Sequence, residues 1–179
     1  MFTPKFALAG VAALSLAAVA AAAAEGPNLG QPITQQELAA WDISVGGDGK
    51  NLPAGKGTPK EGEAVFAAKC QACHGEKGAG TPNDRLVGGQ GTLVGDQAPV
   101  KTVGSYWPYA VTLFDYIRRA MPLTEPQSLT NDEVYAVSAY ILNLNGIIPA
   151  DAVMNADAMP KVKMPNAEKF FVVYPGNVK

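Results

Sequence analysis

Both cysteines and the only histidine of this chain fall within five residues, C-Q-A-C-H from Cys70 to His74. Whatever the fold, it must present two thiols and an imidazole on one short turn. A Cys70–Cys73 disulfide would close a tiny loop and constrain little of the chain. A redox dithiol of C-x-x-C type leaves His74 without a role. Zinc usually takes four ligands, so a carboxylate or water would have to complete a set of three. Covalent attachment of a c-type haem uses the whole cluster and is the reading the spacing favours. Cysteines three apart lie one helical turn from each other, so both sulfurs can reach the two vinyl carbons of one porphyrin. His74, the next residue, then stands under the iron as axial ligand. Its other ring nitrogen is expected to donate to a backbone carbonyl, in the loop near Pro82.

A second axial ligand must come from elsewhere. Met121, Met154, Met159 and Met164 are the candidates, and for most of them simple core filling is the alternative. Met121 stands out because Pro122 follows it. The proline forbids further helix and biases Met121 toward an extended conformation, which puts its thioether on a stiff loop just past a helix. Methionine opposite histidine is an electron-transfer ligand pair that raises the potential. The Gly-rich stretch from Gly75 to Trp107 has no clear period and makes sense wrapped around the edge of the group. Leu86 and Val87 are expected to cover the ring, and Trp107 to touch it. Arg85, Gln90, Lys101, Tyr106 and Trp107 are the candidates to meet the propionates.

The helical signals are local and chemical. T-P-K-E at Thr58–Glu61 and T-N-D-E at Thr130–Glu133 are capping boxes. They open helices expected to run into Cys70 and over 131–144, the second ending at Asn145–Gly146. A third helix is expected before Met121, with Pro108 as its first residue and Leu113, Tyr116 and Ile117 at helical spacing. Another T-x-x-E at Thr34–Glu37 predicts a short helix to Trp41. Gly62 inside the first helix costs about 1 kcal/mol against alanine. A close helix crossing, with Tyr140 packing near Gly62 and Phe66, would justify it. The expected class is therefore mainly α with little strand, three or more helices and long loops around one haem.

The organisation reads as a leader over 1–24, an N-terminal arm over 25–57, a haem domain over 58–146 and an extension over 147–179. The leader has Lys5, an apolar middle and small residues ending at Ala24, the pattern of a cleaved secretory signal. A retained anchor is the alternative, weakened by the alanine-rich composition. No later run is long enough to span a membrane. With a formal net charge of −2 and no long basic run, nucleic acid is not an expected partner. The extension, with E-K-F-F-V-V-Y-P, is apolar enough to pack on its own domain or to meet a partner.

Beyond these motifs, A-A-W-D-I, G-E-A-V-F-A-A-K-C-Q-A-C-H-G, G-G-Q-G-T-L, P-V-K-T-V-G-S-Y-W-P-Y-A, T-L-F-D-Y-I-R-R-A-M-P, Q-S-L-T-N-D-E-V-Y-A-V-S-A-Y-I-L and K-V-K-M-P-N resemble the c-type cytochrome subunit of periplasmic sulfite/sulfane dehydrogenases of the Sox thiosulfate-oxidation system. The resemblance spans about Gly30 to Phe171. It implies a class I cytochrome c fold, with Cys70 and Cys73 as thioether sites and His74 and Met121 as axial ligands. It also implies a periplasmic, non-catalytic electron-transfer role, with a molybdenum dehydrogenase as partner and a downstream cytochrome or oxidase as acceptor. The better-known Sox cytochrome is longer and carries a second haem, whereas the single C-x-x-C-H here implies one. Two other readings stay open at this point: a haem enzyme acting directly on thiosulfate or peroxide, and a free-standing carrier.

Overall fold

The computed structural model describes residues 29–171, and the expected leader over 1–24 lies outside them. Two compact units divide at Trp41. In the first, Thr34 and Glu37 form the expected box: Glu37 N–H donates to Thr34 Oγ1 at 3.2 Å, and Thr34 N–H donates to Glu37 Oε2 at 2.9 Å. It opens α1 (Gln35–Trp41), which buries no residue.

The second unit begins at Asp42. Its order is β1 (Lys56–Gly57), α2 (Pro59–Lys69), a one-turn α3 (Gln71–His74), α4 (Ala110–Ala120), α5 (Asn131–Leu144) and β2 (Met154–Asn155), with short 3-10 turns at Glu76–Gly78, Met159–Lys161 and Ala167–Lys169. Both remaining capping boxes form as the sequence predicts, at Thr58–Glu61 and Thr130–Glu133. The end of α5 also follows expectation, with Gly146 at φ 68°. Gly146 N–H donates to Asn143 O at 2.8 Å and Ile147 N–H to Leu142 O at 3.0 Å, which is the Schellman pattern.

Helix α5 is the centre of the fold. Every residue from Val134 to Leu142 is buried, as expected for a helix covered on all sides. On one side lies α2, which buries only Pro59, Gly62 and Phe66. That stripe is narrow because the two backbones meet. A Cβ on Gly62 would overlap the Ala136 carbonyl oxygen and lie 2.8 Å from Tyr140 Cβ. A Cβ on Gly57 would overlap the Ala136 backbone from β1. Phe66 and Tyr140 then meet at a tilt, with centroids 5.4 Å apart and ring planes 53° apart. The expected crossing is present, and its tightest point is the Ala136 main chain rather than the Tyr140 ring.

On the other side of α5 lies α4, where Phe114 and Tyr135 meet at 4.4 Å between centroids. Tyr135 hydroxyl donates to Pro53 O at 2.9 Å, and burial pushes its pKa up to about 12. Helix α4 starts at Ala110, not at Pro108. Tyr109 is extended at φ −135° and ψ 134°, which stands its ring over the bare Gly47. The proline therefore precedes the helix instead of opening it. The buried Asp115 carboxylate accepts from Val45 N–H at 2.9 Å and from Arg119 Nε at 3.0 Å. Arg118 donates to Ile43 O at 3.0 Å. The two adjacent arginines thus both tether, one to its own helix and one to the incoming chain.

The extension packs on this unit as far as Phe170. Strand β2 pairs antiparallel with β1, Gly57 opposite Met154 and Lys56 opposite Asn155. Met154, Met159 and Met164 are all buried in the core. Asn166 Nδ2 donates to Tyr106 O at 2.8 Å, and Phe170 meets the Tyr106 ring edge-on at 5.6 Å. None of the described helices is long and apolar enough to cross a membrane.

Two outcomes test this packing. Gly62→Leu is expected to cost at least the roughly 1–3 kcal/mol of an overpacked core, because the obstacle is backbone; chemical denaturation measures it, and a parent-like midpoint would place the crossing elsewhere. Glu133 is held below the usual carboxylate value of 4.5, chiefly by the Thr130 backbone N–H. Its folded pKa lies under its unfolded one, so its contribution exists above about 4.5 and fades as pH falls through the folded value. Glu133→Gln should be less stable than the parent at neutral pH, with the gap closing on acidification below 4.5; a pH-independent gap in melting temperature would contradict this.

Candidate haem-binding site

Helix α2 delivers the cluster. Its last bond runs from Cys70 N–H to Phe66 O at 2.9 Å, so the buried Phe66 fixes where Cys70 begins. Cys70 breaks the helix at φ −123° and ψ −36°. Its carbonyl then accepts both Cys73 N–H at 3.1 Å and His74 N–H at 3.0 Å. The five residues therefore make a single turn hung on one carbonyl. Gly75 ends it at φ 75°, where a side chain would be strained, and a Cβ there would lie 2.5 Å from Gly80 O.

The following loop folds back over this turn. Gly80 N–H donates to His74 O and Asn83 N–H to Cys73 O, both at 2.8 Å. Asp84 O lies 2.8 Å from His74 Nδ1. A carbonyl can only accept, so Nδ1 carries the proton and Nε2 keeps its lone pair. The acceptor is two residues from Pro82, in the loop where the sequence places it. His74 is half-buried, so the free nitrogen sits at the edge of the protein rather than in its core.

Both cysteines are free thiols, Cys70 half-buried and Cys73 exposed. Burial, with the neighbouring Cys73, pushes the Cys70 thiol up to about 11. A redox dithiol depends on the opposite shift, toward thiolate. Nor do the side chains converge as metal ligands: among the described residues, no group of three or more His, Cys, Asp or Glu could hold a metal ion. The donor set therefore argues against the redox and zinc readings. It suits a porphyrin, whose attachment needs reachable sulfurs and a lone pair on one imidazole nitrogen.

The surroundings fit the same group. Met121 closes α4 with its N–H on Ile117 O at 3.0 Å, and its backbone is extended at φ −122° and ψ 144°. Leu86, Trp107 and Met121 each pack one side on the core and stay only partly buried. Half-covered apolar side chains of this kind are what an apolar ligand finishes covering. Trp107 is braced edge-on by Tyr116 at 5.9 Å. The three tail methionines are buried in the core, so among the described methionines Met121 is the one left partly uncovered.

The residues considered for propionates have other partners. Arg85 Nε donates to Ala79 O at 3.2 Å, Gln90 Nε2 to Asn145 O at 3.2 Å, and Lys101 lies 5.1 Å over the Tyr106 ring. Asn145 itself was legible in the sequence only as a helix stop. Its three loop partners, Leu86, Gly88 and Gln90, are far along the chain, and no local pattern announces them.

Residues 57–141 match the family described as cytochrome c oxidase, cbb3-type, subunit III. Among solved structures, the sulfane dehydrogenase SoxCD from Paracoccus pantotrophus is similar over 82% of this chain and 72% of its own, at 41% identity and a TM-score of 0.78. No curated protein matches the chain. A helical fold crossed at glycine, a C-x-x-C-H turn whose imidazole is held at Nδ1 and these two likenesses lead to one conclusion: the chain belongs to the class I c-type cytochromes.

Proposed function

We propose that this cytochrome holds one covalent haem c and passes single electrons in sulfur-compound oxidation. Cys70 and Cys73 would form the thioethers, and His74 Nε2 and Met121 would be the axial ligands. The bound haem supplies a one-electron iron couple. The observation that carries the reading is the 2.8 Å contact of His74 Nδ1 with Asp84 O. It fixes the tautomer, aims the ring and raises the basicity of the other nitrogen.

The chain's own residues account for the rest. Cys70 holds its place through Phe66 and the α2–α5 crossing, so the attachment turn is as rigid as the core. Met121 is fixed by the end of α4 and by Pro122. Leu86 and Trp107 would exclude water from the apolar faces. With His74 and Met121 both available to a bound haem, no position would be left for substrate at the iron, which favours a carrier over an enzyme acting on thiosulfate or peroxide. Similar ligation in both oxidation states keeps reorganisation small.

The likeness to the sulfane dehydrogenase SoxCD supports a place beside a molybdenum-containing sulfite or sulfane dehydrogenase. The cytochrome would be its electron acceptor or its subunit, and would pass electrons to a downstream cytochrome or oxidase. The alanine-rich leader supports export to the periplasm. The expected assembly is testable by co-purification: a molybdenum protein retained by the tagged cytochrome supports it, and its absence under native conditions favours a free carrier.

Mass spectrometry of the exported protein should show one porphyrin adduct on the peptide containing Cys70 and Cys73. Bare peptide with two free thiols would refute the covalent assignment. Met121→Ala should abolish the near-infrared sulfur-to-iron band and lower the reduction potential, since the thioether raises it. A parent-like band in that variant would move the sixth ligand to another residue.

A further inference from the structure

Asn145 closes α5, but its side chain does more than cap a helix. It is 9% exposed, and every hydrogen-bonding position of the amide is used. Nδ2 donates to Ile141 O at 2.9 Å and to Leu86 O at 3.2 Å. Oδ1 accepts from Gly88 N–H at 3.0 Å and Gln90 Nε2 at 3.3 Å. An amide offers two donor hydrogens and two acceptor lone pairs, so nothing is spare. Gly104 presses the amide from behind, since a Cβ there would lie 2.8 Å from Asn145 Cβ. The helix end needs none of the loop bonds, because the Schellman pattern at Gly146 already satisfies its carbonyls.

The loop that Asn145 holds is the one that holds His74. Leu86 is gripped at both backbone groups: its N–H donates to Gly78 O at 2.9 Å and its carbonyl accepts from Asn145. Gly88 is gripped likewise, its N–H on Asn145 and its carbonyl taking Thr102 Oγ1 at 2.6 Å. Thr102 is 3% exposed. Asp84, whose carbonyl receives His74 Nδ1, is separated from the clamped Leu86 by Arg85 alone.

We infer that Asn145 is a positioning residue for the proximal ligand: by clamping Leu86 and Gly88 it fixes the Asp84 carbonyl against His74 Nδ1, and so sets the basicity of the nitrogen that faces iron. This rests on the haem assignment above. A firm bond from Nδ1 makes the imidazole more basic and favours ferric iron. Releasing the loop weakens that bond and favours ferrous iron.

The test uses the full-length holoprotein. In Asn145→Ala, exchange of the His74 Nδ1 proton, followed by NMR, is expected to accelerate, because the Asp84 carbonyl that receives it is no longer held in place. The reduction potential is expected to rise. Asn143→Ala is the control, because Asn143 Nδ2 binds Ile148 O at 2.9 Å and faces the tail rather than the loop. It should lower the melting temperature and leave both readouts at parent values. An Asn145→Ala holoprotein that melts lower but keeps either readout unchanged overturns the inference and leaves Asn145 a structural cap. If Asn145→Ala is not recovered folded, Thr102→Val, which frees the Gly88 carbonyl from the opposite side, is judged by the same two readouts. A parent protein without bound porphyrin would instead refute the haem assignment, so the two failures are separable.

Discussion

Two backbones in contact set the geometry of this protein. Gly62 on α2 meets the Ala136 main chain on α5, and Gly57 on β1 meets the same residue. Without side chains at these positions the helices approach as closely as their backbones permit, and Phe66 can pack at a tilt against Tyr140. Phe66 then accepts the N–H of Cys70 at 2.9 Å. The attachment turn thus inherits its position from a crossing one helical turn away. A glycine that weakens α2 as an isolated helix is what makes α2 useful as a mount.

A second constraint runs through the loops. Between Gly75 and Trp107 there is no regular element beyond one 3-10 turn, and a segment this long is hard to order by itself. Order comes from buried side-chain oxygens and nitrogens that reach its backbone: Asn145 on one side, Thr102 and Ser105 on the other. Ser105 Oγ accepts from Thr102 N–H at 2.9 Å and donates to Val100 O at 2.7 Å. These groups are buried and satisfied, the condition under which a polar core strengthens a single arrangement instead of costing stability. Ser138 is the exception, a buried hydroxyl without a partner among the described residues.

What could be read from sequence follows from how local each signal is. The capping boxes, the end of α5 at Asn145–Gly146 and the tight crossing at Gly62 were all legible, because each depends on residues a few positions apart or on one conspicuous glycine. The histidine acceptor was legible as a region, since a loop that returns over a C-x-x-C-H turn must pass near the ring. The start of α4 was not. Pro108 favours a helix start locally, yet Tyr109 is extended over Gly47, a contact between residues far apart in the chain. The buried Asp115, bound to Val45 and Arg119, and the Asn145 clamp were invisible for the same reason. An asparagine before glycine looks like a stop signal whether or not its amide also gathers three distant partners.

These observations join at the proposed electron-transfer role. A carrier benefits when its metal environment is the same before and after the electron moves, so each ligand should be held by something that does not titrate, open or slide. Here His74 is held by a carbonyl, the carbonyl by a clamped loop, and the loop by a neutral amide on the central helix. Met121 is held by the end of α4, whose buried face packs on that same helix. Both proposed ligands therefore refer back to α5, the element with nine consecutive buried residues, Val134 to Leu142. Charge plays little part in this frame. The chain is near neutral, and Asp115, the one buried carboxylate among the described residues, is paired within its own helix. Rigidity at the site is thus a consequence of close packing and satisfied neutral hydrogen bonds, neither of which depends on the charge that a bound haem iron would carry.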